Sequence, residues 1–133
     1  MAEILAQLEK KGGGGMSEKV LWTNPSPTSS FPQTACSLSE SIDNFDYIKI
    51  LYRVSTSNNT QGVAIWPIST IKISTGGSNH IRASFTTQTS ANIYSRVIAY
   101  VSNTSLQIGQ SIALNTSGTD NATGIPLAIY GLK

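Results

Sequence analysis

From residue 47 to residue 54 the chain reads YIKILYRV, with apolar and polar positions alternating. Ile48, Ile50, Tyr52 and Val54 fall on one face and Lys49 and Arg53 on the other, the two-residue period of a half-buried strand. Residues 80–87 repeat the pattern, with Ile81, Ala83 and Phe85 inward and Arg82 outward. Over 93–101 the same period sets Val97, Ala99 and Val101 inward, and Tyr94, Arg96 and Tyr100 outward. Shorter candidate strands lie at 20–22, 34–38, 63–66, 68–73, 105–108 and 125–130. Turn-forming clusters separate these runs: NPSP from Asn24, SNN from Ser57, GGSN from Gly76 and SGTDN from Ser117. Closely spaced strands with no helical pattern between them predict an all-β fold, an antiparallel β-sandwich or jelly-roll-like domain.

The first eleven residues follow a different rule. AEILAQLEKK, from Ala2, is built of helix formers, and Ile4, Leu5 and Leu8 make one narrow apolar stripe. A helix of this length is marginal alone in water, so it needs something to dock on. Gly12, Gly13, Gly14 and Gly15 follow, and four glycines in a row leave the direction of the chain free. The expected organisation is an anchor peptide at 1–11, a glycine-rich hinge at 12–18 and a β domain at 19–133. Met16 directly after the glycines supports a second reading, in which residues 1–15 are an added fusion peptide.

Composition narrows the chemistry. Charged residues make up 12% of the 133, and the formal charge is +2, which gives little reason to expect a nucleic-acid partner. Cys36 is the sole cysteine, so no intrachain disulfide forms, and its expected place is a strand interior. No apolar run reaches the length of a membrane span, and the N-terminus lacks the apolar core of a signal peptide, so synthesis in the cytoplasm and no membrane insertion are expected. The Asn-x-Ser/Thr triplets at Asn58, Asn103, Asn115 and Asn121 read as chance matches in a chain this rich in Ser and Thr.

Catalytic machinery is hard to assemble from these residues. His80 is the sole histidine, no nucleophile turn lies near it, and one His with one Cys makes a poor zinc site. Glu40, Asp43 and Asp46 read as a solvated turn before the long strand; with Asp120 they are the acid–base candidates of the β domain. No phosphate loop occurs, and neither a cofactor nor enzymatic activity is expected. Tyr94, Arg96 and Tyr100, with Lys49, Arg53 and Arg82, could form a basic aromatic face for a glycan. The same residues also read as a solvated strand face or one covered by a neighbouring subunit. Trp22 and Trp66 are further candidate sugar platforms, though core or interface positions suit them better.

The stretch LWTNPSPTSSF from Leu21 to Phe31, the QT that follows at Gln33, FDYIKI from Phe45 and the ending IPLAIYGLK from Ile125 resemble a domain of phage and prophage virion appendages. Such domains form distal parts of tail fibres, baseplates, head fibres and capsid decorations in viruses of Gram-positive and gut bacteria. The likeness covers about a third of the chain, and this chain departs from it at Phe31-Pro32, where relatives carry Ala-Ala. The resemblance implies a non-enzymatic homotrimer on the virion surface, attached to capsid or tail proteins through the N-terminal peptide and aiding host adhesion. It brings no catalytic residues. A receptor- or carbohydrate-binding module for bacterial surface polysaccharide is the alternative it leaves open.

Overall fold

The computed structural model describes residues 16–75 and 82–133. The anchor residues Ile4, Leu5 and Leu8, the glycines 12–15, His80 and Ile81 lie outside the described residues. The strands are β1 (Glu18–Thr23), β2 (Thr34–Ser37), β3 (Tyr47–Ser55), β4 (Gln61–Pro67), β5 (Ala83–Gln88), β6 (Ile93–Ser102), β7 (Ser105–Ile108), β8 (Ile112–Ala113) and β9 (Thr123–Leu132). A first sheet runs β1-β9-β3-β4; a second runs β2-β7-β6-β5, with β8 also paired to β6. Every pairing is antiparallel. The fold is an all-β sandwich, as the strand pattern predicts. The chain crosses between sheets at β1→β2, β2→β3, β4→β5 and β8→β9, while β3–β4 and β5–β6–β7 are hairpins within one sheet.

The core lies between the sheets. Ile48, Ile50 and Ile129 from the first sheet meet Cys36, Phe85, Ile98, Leu106 and Ile108 from the second, all essentially sealed from solvent. The faces predicted for β3 and β5 are the ones observed. Ser17, assigned to the hinge by composition, exchanges two backbone hydrogen bonds with Lys133, and Glu18 opens β1, so the sheet starts before residue 19.

Two expectations are overturned. Residues 68–73 form a short helix, α1 (Ile68–Ile73), where β-branched composition suggests a strand. Pro67 precedes it with an extended backbone, and Ile68 and Ile71, three apart, both turn to the core, where Ile71 is fully buried. Packing of that pair outweighs the weak intrinsic preference of the side chains. Just beyond α1, buried Ser74 donates to the Ile98 carbonyl at 2.6 Å and accepts from the Ala83 amide at 2.8 Å.

The second reversal concerns β6. Tyr94 and Arg96 are buried and Tyr100 packs against the core, whereas Val97 is half-buried on the outer face and Val101 is exposed. Ala99 is buried but lines the outer surface. Both faces of this strand carry apolar residues, so its period fits either orientation. Ile98 shares the face of Arg96, and the partners awaiting the guanidinium settle which side goes in.

Candidate functional site

Arg96 points into the sandwich rather than toward a ligand. Its Nη1 donates to the Gly109 carbonyl at 2.8 Å, its Nη2 to the Thr123 and Asn121 carbonyls at 3.0 and 3.2 Å, and its Nε to Thr123 at 3.3 Å. The guanidinium carbon also stands 5.4 Å from the centre of the Phe31 ring. Burial pulls this side chain down to about 10, and the charge of Asp120 pulls the other way, so it stays cationic at neutral pH. Around it, the Ser111 and Thr123 hydroxyls share a 2.6 Å hydrogen bond, and the Phe31 amide donates to the Asn121 carbonyl. One buried cation thus ties β6 to β9, to the loop before β8, and to the end of the LWTNPSPTSSF stretch.

The flanking tyrosines are committed in the same way. The Tyr94 hydroxyl accepts from the Asn92 amide at 3.2 Å. The Tyr100 hydroxyl donates to Asn103 Oδ1 at 2.6 Å, and Asn103 Nδ2 donates to Asp43 at 2.8 Å. Asp43 is also ion-paired with Lys72 of α1, a contact that raises the Lys72 pKa. Arg96 therefore serves as a strut between the layers, while Tyr94 is buried and Tyr100 packs against the core, so the three do not form an open basic aromatic face on the outer surface.

The other candidates are likewise engaged. Trp22 meets Phe31 edge-on at 6.0 Å, and Trp66 Nε1 donates to the Ser84 carbonyl at 2.9 Å; both rings pack on the core. Glu40 pairs with Lys19 and accepts from Asn44, and these bonds lower its pKa. Glu40 and Asp43 of the acidic turn are thus tethers, and Asp46 is held through its backbone to Leu132 and Ile68. Among the described residues no three His, Cys, Asp or Glu side chains gather as metal ligands. All four triplet asparagines hydrogen-bond through their side chains within turns or between strands.

A different surface is concave. On the outer face of the second sheet, Val97 and Ala99 of β6 and Ile112 of β8 form the floor of a shallow cleft of about 480 Å³. Gln33, Gln107, Gln110 and Arg82 surround it. Strand alternation places Gln107 here, because its neighbours Leu106 and Ile108 are fully buried. The three glutamine carboxamides make no hydrogen bond to other described residues. Each offers two donors and a carbonyl acceptor, so the cleft can hydrogen-bond a neutral, hydroxyl-rich molecule lying over an apolar floor. Sequence reading missed this site because no one segment carries it: Gln33, Gln107 and Gln110 meet through the β2–β7 and β6–β7 pairings. No protein-family model and no curated protein matches this chain.

Proposed function

We propose that this chain is a non-enzymatic structural protein of a bacteriophage virion, a homotrimeric surface appendage of the head-fibre, capsid-decoration or tail-fibre-tip kind. The peptide bearing Ile4, Leu5 and Leu8 attaches it to capsid or tail proteins, the glycines at 12–15 let the β domain reorient, and the exposed domain aids adhesion to the host.

The observation that carries this reading is the stretch Leu21–Phe31. Its likeness to appendage domains goes with a structural task. Asn24 Nδ2 donates to the Pro126 carbonyl, the Asn24 amide donates to Leu127, and Phe31 stacks beneath Arg96. The stretch thereby clasps the IPLAIYGLK strand, the other segment of the resemblance, so the two recognisable pieces are one structural unit. Immunogold labelling of purified phage particles from the source bacterium, with antibody against residues 16–133, tests it. Gold on particles supports the reading; particles carrying the gene but no label overturn it.

The glutamine-lined cleft favours a second reading, a carbohydrate-binding module for bacterial surface polysaccharide. Calorimetric titration with purified cell-wall polysaccharide tests that reading. Binding lost in Gln107→Ala and Gln110→Ala supports it, and no heat with the wild-type chain rejects it.

A further inference from the structure

The cleft on the outer face of the second sheet is held open by a missing side chain. Gly109 lines it, and nothing in the backbone requires a glycine there. Its φ is not positive, and a methyl group at this position would meet only the Val97 backbone, at an ordinary 3.5 Å from the carbonyl oxygen. The Gly109 amide donates to that same oxygen, so the residue prolongs β7 by one position. Leu106 and Ile108 face the core, and alternation therefore turns position 109 outward, like Gln107. A larger residue would occupy the hollow that Gln33, Gln107 and Gln110 surround.

Two kinds of group line this hollow, and together they narrow the ligand. Val97, Ala99 and Ile112 make an aliphatic floor, and no aromatic ring among the described residues lines it for a pyranose to stack on. Such a floor suits a methyl group, which needs no flat face to be shielded from water. The glutamine carboxamides form the walls, each with two N–H donors and a carbonyl acceptor. An amide is the group that matches a carboxamide in both senses, donor to acceptor and acceptor to donor. An acetamido substituent carries both features, a methyl bonded directly to the amide carbon.

Charge points the same way. Arg96 is the single charged residue in the strands of the second sheet, and it turns inward. Among the described residues no carboxylate lines the cleft, so a protonated amine meets no counter-charge and an amino sugar fits only when acylated. Arg82 at the rim already interacts within the chain, so its charge does not by itself call for an anionic ligand.

We propose that the cleft is a subsite for an N-acetylated amino sugar of a bacterial surface glycan. The acetamido methyl rests on the aliphatic floor beside Gly109, and its amide bonds to the glutamine carboxamides. This rests on the carbohydrate-binding reading and names its sugar class. The volume of about 480 Å³ lies within the roughly 300–1,000 Å³ of small-ligand sites. A shallow site for one residue binds weakly, with Kd on the order of 1 mM. Several copies displayed together raise the effective affinity without further contacts.

NMR titration of the full chain, read at the glutamine side-chain amides, tests the proposal. The probes are the methyl glycosides of N-acetylglucosamine and N-acetylgalactosamine, those of glucose and galactose, and poly(glycerol phosphate). At least one acetamido glycoside should bind tenfold or more tightly than its hydroxyl counterpart, which differs only at that substituent. Gly109→Ala keeps the carbonyl that Arg96 uses, and it should lower that affinity at least fivefold at an unchanged urea midpoint. Gln107→Ala should lower it at least tenfold. Gln88→Ala, on β5 outside the cleft, should leave it unaltered. Equal affinity for acetamido and hydroxyl sugars, or binding that survives both Gly109→Ala and Gln107→Ala, overturns the proposal. Tighter binding of poly(glycerol phosphate) than of either acetamido sugar also overturns it, in favour of an anion at Arg82. If cell-wall polysaccharide binds and neither acetamido sugar does, the proposal falls and the carbohydrate-binding reading stands. Silence toward every probe and the polysaccharide rejects both.

Discussion

Truncating Arg96 tests whether one buried cation holds the sandwich together. In Arg96→Ala the Gly109 and Thr123 carbonyls lose their guanidinium donors, while Asn121 keeps the Phe31 amide. Each orphaned buried carbonyl costs about 1–3 kcal/mol. Loss of the contact with Phe31 adds about 1 kcal/mol. Relief from burying a charge, and water entering the space left behind, offset part of this. The expected net loss is about 3 kcal/mol, a large share of the roughly 5–15 kcal/mol that holds such a domain folded. With a urea dependence of about 2 kcal/mol per molar, the unfolding midpoint falls by about 1.5 M. Arg96→Lys keeps the charge but not the fork that reaches three carbonyls, and loses most of the same stability. Gln110→Ala, at an exposed amide, stays within about 0.5 kcal/mol of wild type. An Arg96→Ala loss below about 1 kcal/mol would refute the strut, because then neither carbonyl depends on the side chain.

Gly124 sits at φ +58°, and a methyl there would stand 2.8 Å from Thr87 Oγ1, so Gly124→Ala costs about 2 kcal/mol in urea unfolding. A neutral result would mean that β9 enters the sheet by another path. Burial pushes the Cys36 thiol up to about 12 from its ordinary 9.0. A raised folded value contributes stability that is complete below pH 9 and is lost as pH climbs toward 12. Wild type therefore weakens faster than Cys36→Ala between pH 8 and pH 11, and native Cys36 resists maleimide at pH 8; equal slopes or rapid labelling count against it. Glu40 is held below its usual 4.5 by Lys19 first and by Asn44, so its contribution is present above that value and lost as pH falls through the folded one. Glu40→Gln should flatten the acid side of the stability profile, and an unchanged profile would show that this exposed pair adds nothing.

Where one face of a strand is buried and the other polar, the sequence alone identified it. Tyr47–Ser55 reads correctly because Lys49 and Arg53 leave one side for the core. Ala83 and Phe85 of β5 read correctly for the same reason. The helix at Ile68–Ile73 did not, because a six-residue segment with one buried and one partly buried isoleucine facing the core has too few positions to separate a period of two from one of 3.6. The candidate cleft was less legible still. It draws Gln33, Gln107 and Gln110 from separate strand ends and loops, which only the pairing of β7 with β2 and β6 brings together.

What the sequence determined by itself is the all-β class, the faces of β3 and β5, the interior place of Cys36, and the LWTNPSPTSSF and IPLAIYGLK segments that prove to be bonded together. Tertiary structure decided the direction of Arg96. A periodic pattern gives the spacing of side chains but not which face meets the other sheet. An arginine enters a core only when fixed acceptors wait there, and those acceptors, the carbonyls of Gly109, Asn121 and Thr123, lie 13 to 27 residues further along the chain.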